Sequence, residues 1–284
     1  MTSYAIRKFK DRMFFFLALL CVVVAVLPLG SILLEVVIRG ATQLTVDFLT
    51  KPPGVIGESA GGIGPAIQGT LLLIALTSVM GIPLGIMSGV YLAEYGNNRY
   101  ARAMRMFNDV LTEFPSIVVG LTVFIVVVLT LGRFSPIAGA VALSFIMIPI
   151  VARTAEESIK LVPNSIREAS LSLGIRRWRT IVSVVLRAAR AGLVTGVLLA
   201  VARIAGETAP LIMTVLGNQN FFVGFSQPID ALPLRIWRDA LLPYPEYQAQ
   251  GWGAALVLIM IVLSLNVGVR LASRGKYGRR KRIA

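Results

Sequence analysis

Residues 67–92 read IQGTLLLIALTSVMGIPLGIMSGVYL, 26 positions without a single aspartate, glutamate, lysine or arginine. As an α-helix this stretch reaches about 39 Å, more than the roughly 30 Å hydrocarbon core of a bilayer. A barrel strand crossing the same core would alternate apolar and polar side chains, and no alternation is present here. In lipid the backbone must satisfy its own hydrogen bonds, which leaves the helix as the form of this segment. Similar runs occur at 13–34, 110–131, 137–152, 191–216 and 251–271; the run at 137–152 is short, with Pro149 near its end. The expected fold class is an all-α membrane protein with six transmembrane helices.

Composition agrees. Hydrophobic residues make up 56% of the 284-residue chain and charged residues 15%, with a mean hydropathy of +0.78. A soluble domain of this size needs far more charge to cover its surface. The net charge of +14 would suggest nucleic acid on a soluble fold. Here the cations cluster between apolar runs, where they orient the chain and meet anionic membrane lipid. No nucleic-acid partner is expected.

The placement of charge sets the topology. Of 28 lysines and arginines, 22 fall before the first run, in loops 93–109 and 153–190, and from Arg270 onward. With six spans these four segments share one face, which the positive-inside rule makes cytoplasmic. Both termini are then cytoplasmic. Arg7, Lys8, Lys10 and Arg12 ahead of the first run resemble a signal peptide. That run is too long for a signal core and no small-residue cleavage site follows it, so it reads as an uncleaved helix. Three segments result. Residues 1–66 hold the basic start, first helix and outer loop, 67–271 the transmembrane domain, and 272–284 a basic cytoplasmic tail.

Several chemistries are excluded. The chain has no histidine, and its one cysteine, Cys21, lies inside the first apolar run. It contains no G-x-x-x-x-G-K-[ST] loop to cradle ATP phosphates. No constellation of catalytic groups converges within the spans, so no enzyme activity, metal site or cofactor is expected in this chain.

The cytoplasmic loop between runs four and five carries a helix start, Pro163-Asn164-Ser165-Ile166-Arg167-Glu168. Ser165 is placed to cap it, with Glu168 three residues on reaching back to the Ser165 N–H. Gly174 suits the left-handed position that ends such a helix. A second helix is expected from about Arg176 into the fifth run. Glu168-Ala169-Ser170, then Gly174, then Val184 and Leu186, resembles the EAA loop of bacterial ABC-importer permeases. That family reads E-A-A, three residues, Gly, nine residues, I-x-L-P, from which this chain departs at Ser170, Val184 and Arg187. The resemblance implies a coupling helix that docks on a separate ATPase, with Ser165, Glu168, Ala169, Ser170 and Gly174 as its residues.

Further stretches are similar to the PstA type of phosphate-importer permease. They are Gly61-Gly62-Ile63-Gly64-Pro65-Ala66-Ile67-Gln68-Gly69-Thr70, Phe114-Pro115-Ser116-Ile117-Val118-Val119-Gly120, the lead Arg153-Thr154-Ala155-Glu156-Glu157, and Ala202-Arg203-Ile204-Ala205-Gly206-Glu207-Thr208-Ala209-Pro210. The last departs from the pattern A-R-A-x-G-E-T-A-P mainly at Ile204. This resemblance implies inorganic phosphate as substrate and a heterodimer with a PstC-like permease. It also implies two copies of an ATPase that bind ATP and Mg, an extracytoplasmic phosphate-binding protein, and the bacterial inner membrane as location.

Within the last stretch, Arg203 and Glu207 stand one helical turn apart in an apolar run. Ionisable groups at membrane depth are costly and face a partner or a water-filled path. Two readings stay open: an internal ion pair that fixes packing, or a substrate pathway of Arg203, Glu207 and Thr208 in which the guanidinium meets phosphate. Permeation of another oxyanion, a PstC-like identity, and a stand-alone channel or ion-coupled carrier are the alternatives.

Lesser features complete the reading. Asp109 and Glu113 are placed at the start of the third span, where a helix N-terminus favours anions. Gly192 and Gly196 suit close helix packing, Trp178 an interfacial anchor, and Arg279-Arg280-Lys281-Arg282 a solvated tail. Pro233-Leu234-Arg235-Ile236-Trp237 faces the outer side, where a delivery protein would approach.

Overall fold

The computed structural model describes residues 4–54 and 61–274. Among them every regular element is helical. α1 (Tyr4–Ala41) is followed by the short α2 (Val46–Thr50), and then by α3 (Gly64–Glu94). α4 (Arg99–Glu113) precedes α5 (Ser116–Val123), which passes through a π-helical stretch at Phe124–Val128 into α6 (Leu129–Leu131). α7 (Pro136–Lys160) leads to the loop helices α8 (Asn164–Ser172) and α9 (Arg177–Thr180). A second π-helical stretch, Ile181–Val185, joins α10 (Leu186–Ala188), α11 (Arg190–Ala205) and α12 (Ala209–Thr214). α13 (Leu232–Leu241) and α14 (Pro245–Arg274) close the described chain.

Four helices are long and apolar enough to cross a membrane, and two bent pairs raise the number to six if each counts as one span. The third expected span is one of these pairs. It does not run straight from 110, because Arg99–Glu113 and Ser116–Leu131 meet at 104°. Pro115 is the cause: a residue before proline is pushed out of the helical region, and Phe114 has ψ 132. Asp109 and Glu113 therefore lie in the last turns of α4, not at a helix N-terminus, and the dipole argument for them fails. α4 turns Ala101 and Asn108 inward, while Tyr100, Met106, Phe107 and Val110 are exposed.

The fourth span is longer than expected. α7 continues through Pro149 to Lys160, as membrane helices do where neighbours cover the loosened turn. Those neighbours are small-residue seams on two sides. A Cβ on Gly81, Gly85 or Gly89 of α3 would stand 2.8 Å from Met147 Sδ, 2.6 Å from Val151 Cβ or 2.6 Å from Ala155 Cβ. On α11, a Cβ on Gly192 or Gly196 would stand 2.3 Å from Ser158 Oγ or 2.2 Å from Thr154 Oγ1. Backbones approach this closely only where side chains are absent. The Gly192 and Gly196 pair thus packs inside the chain, with Leu143, Met147, Val151, Ala200 and Ile204 forming the core alongside.

α1 stands apart. None of its apolar stretch is buried within the chain, and it touches α14 near its end, where Gly40 meets Leu256 and Arg39 lies over the Trp252 ring at 5.4 Å. At the other terminus the helix continues through 272–274, and Arg279–Arg282 lie outside the described residues.

Candidate functional site

The fifth span breaks where the sequence placed the substrate pathway. α11 ends at Ala205, and α12 begins at Ala209 with Pro210 in its first turn. A proline ring clashes with the carbonyl four residues back, here that of Gly206, so the helix cannot run on through 206–208. The expected continuous helix at 191–216 is corrected to two helices around this break. Arg203 sits in the last turn of α11, and Glu207 lies within the break, its N–H donating to Ile204 O at 3.1 Å. The Arg203 guanidinium is paired with the Glu207 carboxylate.

The two partners sit in different surroundings. The Arg203 side chain is 56% exposed and that of Glu207 6%. Thr208 is half-buried beside them and accepts from Leu211 N–H and Ile212 N–H through its carbonyl, both at 3.1 Å. The pair is anchored from the buried carboxylate side, and it presents its cation to an open face. That arrangement offers an anion a guanidinium without dismantling a buried pair.

The loop after α7 forms the expected short helix, with a different start. Pro163, not Ser165, occupies the N-cap, and no side chain caps the helix. The reciprocal Ser165–Glu168 bonding is overturned for the same reason that makes proline a good helix starter: helical φ is already set before Ser165 is reached. Gly174 behaves as read, with φ +77 and its N–H donating to Leu171 O at 2.9 Å. Ser165, Glu168, Ala169 and Gly174 are exposed, together with Leu171 and Leu173. Ser170 points the other way: it is buried, and its hydroxyl lies 2.9 Å from that of Thr180 in α9. The second helix starts at Arg177 with Arg176 as N-cap and leads toward α11. It turns by 72° between Arg177–Ala188 and Arg190–Ala205, without the proline that the resembled pattern has at Arg187. Arg179 lies over the exposed Trp178 ring at 5.7 Å.

A buried ionic cluster went unread in the sequence. Arg235 Nε stands 2.9 Å from Asp239 Oδ2 with both side chains buried, and Arg235 Nη2 donates to Gln250 Oε1 at 3.2 Å. Arg238 Nη2 lies 3.6 Å from the buried Asp230 Oδ1. Burial pushes the Asp239 carboxyl up to about 6 against the pull of Arg235, and it raises that of Asp230 against the pull of Arg238. The i, i+4 spacing of Arg235 and Asp239 was a visible signal. Their burial was not, because an outer loop reads as solvated.

A helical membrane chain with a charged break in one span and a short exposed helix on the loop after α7 has the layout of a transport subunit. The chain belongs to the family of binding-protein-dependent transport system inner membrane components, whose pattern matches residues 81–275. That description places it in the inner membrane, as one component of a larger transport system. The phosphate transport system permease protein PstA of Yersinia pestis is 42% identical over 269 residues, covering 93% of this chain and 90% of that protein. The PstA of Pasteurella multocida is 40% identical, over 95% and 96% of the two chains. The probable PstA of Methanocaldococcus jannaschii is 38% identical, over 94% and 95%. Among solved structures, a chain of a bacterial ABC transporter for alginate matches with TM-score 0.64 at 16% identity, over 94% of this chain and 99% of that one. The inward-facing MetNI methionine ABC transporter matches with TM-score 0.57 at 18% identity, over 74% and 94%. These two likenesses concern the fold alone.

Proposed function

We propose that this chain is the PstA-type permease of an ATP-driven phosphate importer and forms half of the translocation pathway. The observation that carries the reading is the near full-length similarity to permeases named for phosphate transport. The exposed Arg203 at the break in the fifth span supports it. In the proposed arrangement six spans cross the membrane, counting each bent pair as one, with both termini cytoplasmic. A PstC-like permease supplies the other half of the pathway, and an extracytoplasmic phosphate-binding protein delivers the substrate. Two ATPase copies bind ATP and Mg and grip the coupling helices, α8 in this chain. The chain itself makes no covalent change to its substrate and holds no cofactor or metal.

Mechanistically, Arg203 lends charge-assisted hydrogen bonds to phosphate oxygens as the anion passes. Glu207 keeps the guanidinium oriented and competes for it, so the anion is bound only loosely and leaves again. Thr208 contributes from the same break. Labelled-phosphate uptake by cells lacking only this chain tests the reading. Uptake is expected to vanish and to return with the intact gene. With Arg203→Ala in a normally assembled complex it is expected to stay at least about tenfold down, the worth of hydrogen bonds to a charged group. Undiminished uptake in the deletion, or full competition by sulfate, withdraws phosphate as the substrate.

A further inference from the structure

Three arginines from three elements converge on the cytoplasmic-loop end of α3. Arg105 of α4 donates through Nη2 to Leu92 O at 2.9 Å and through Nη1 to Gly96 O at 3.1 Å, while its Nε reaches Glu156 Oε1 of α7 at 2.9 Å. Arg177 at the start of α9 donates through Nη2 to Glu94 O at 2.7 Å and lies over the Tyr95 ring at 4.6 Å. Arg167 of α8 places Nε and Nη2 each 3.0 Å from Glu94 Oε1. A helix end leaves carbonyls without intrahelical donors and favours cations, so arginines here satisfy an ordinary need.

Arg167 does more than cap. Its Nη2 also donates to Ile159 O at 2.9 Å in the last turn of α7, and its Nη1 donates to Val162 O just beyond that helix. One planar guanidinium thus ties α8 to α3 and α7 together, which a lysine point charge cannot do. The ion pair is shielded, its side chains 18% and 7% exposed. The next residue, Glu168, is exposed. Consecutive side chains therefore take different faces of α8, one into the span bundle and one outward.

We propose that Arg167 and Glu94 form the strut that passes displacement of α8 to α3, so that the α3–α7 pair moves with the coupling helix. This rests on the reading of α8 as the helix that the ATPase grips. The other polar attachment of α8 leads elsewhere. Ser170 joins it to Thr180 of α9, and so to the fifth span. Without the strut, motion of α8 reaches α3 only indirectly, through Arg177 of α9 on Glu94 O and through the short link to α7. Arg167 and Glu94 are positioning residues, touching neither phosphate nor ATP.

The test uses the complete importer in proteoliposomes and reads phosphate transported per ATP hydrolysed. Glu94→Gln and Arg167→Met are each expected to leave ATP hydrolysis by the assembled complex close to wild type, while the transport ratio falls about fivefold or more, the range of coupling between sites. The double variant is expected to fall no further than the worse single one. A ratio that stays at the wild-type value overturns the strut, as does a double variant in which the two losses multiply. Transport and hydrolysis falling together with the thermal midpoint overturn it too, since that marks a structural contact. Should a neutral variant fail to assemble, Arg167→Lys keeps the charge, loses the fork, and is read by the same ratio. Glu168→Arg serves as the control for α8 itself. If the ATPase still co-isolates and transport stays normal in that variant, the docking role of α8 fails, separately from the strut.

Discussion

The hydroxyls of Ser170 and Thr180 meet at 2.9 Å, both buried, across the hairpin that α8 and α9 make. Serine is where the chain departs from the E-A-A pattern it resembles, and its partner explains the departure: a hydroxyl on one helix answers a hydroxyl on the other. Removing one side leaves a buried polar group without its partner, which costs more than removing both. Ser170→Ala is expected to lower stability by about 1–2 kcal/mol, and Ser170→Ala with Thr180→Val to recover most of the loss. Thermal unfolding of the purified complex measures it.

Gly174 ends α8 at φ +77, with open space where a Cβ would stand. The restriction is conformational, not steric crowding from neighbours. Gly174→Ala is expected to cost about 1 kcal/mol and to leave transport working, because alanine tolerates the left-handed region at that cost. Gly174→Pro fixes φ near −65° and removes the N–H that Leu171 O accepts. Loss of ATP-dependent uptake with normal membrane insertion is the expected result. Normal uptake in that variant contradicts a rigid α8.

Glu207 neutralises a cation that its neighbour presents to an open face. Glu207→Gln is expected to free Arg203 for the anion, so that half-saturation falls while maximal uptake drops, each by about tenfold. Initial rates across phosphate concentrations separate this from a packing defect, which lowers the maximal rate and leaves half-saturation unchanged.

Asp239 gives a pH signature. Its folded pKa, raised by burial to about 6, lies above the usual 3.8. The folded state then binds the proton more tightly than the unfolded state. Its contribution to stability is greatest below the unfolded value, declines as pH rises toward 6, and is level above that. The thermal midpoint of wild type minus that of Asp239→Asn is expected to fall between about pH 4 and 6 and to stay flat from there upward. A difference that rises across this interval reverses the assignment. Carboxylates other than Asp230, whose charge acts on Asp239 directly, cancel in the subtraction.

The sequence was informative where physics is local. Six apolar runs, the left-handed glycine at 174, and the four-residue spacing of Arg203 and Glu207 are all properties of short segments. Boundaries were less legible. α7 overruns its apolar stretch because a helix satisfies its backbone past the hydrocarbon edge. The turn at Pro115 and the break before Pro210 needed only their prolines to be taken as stops. The Ser165 cap lost to Pro163, two residues upstream. Contacts between distant segments were closed to sequence reading: Glu94 and Arg167 are 73 residues apart, and nothing local foretells that they meet. The buried Asp230 and Arg235 were hidden likewise, since their burial is set by α3 and α14, not by their own neighbours.

The glycine seams have a consequence for inheritance. Glycine is coded by GGN, and every amino acid reachable from it by one base change carries at least one more carbon. At Gly81, Gly85, Gly89, Gly192 and Gly196 that first added carbon falls within 2.8 Å of an atom already in place. Each missense change at these five codons therefore requires a shift, either of the side chain it meets on α7 or of α3 or α11 against α7. Only a silent change at these codons leaves both the spacing of the three helices and the side chains between them as they are.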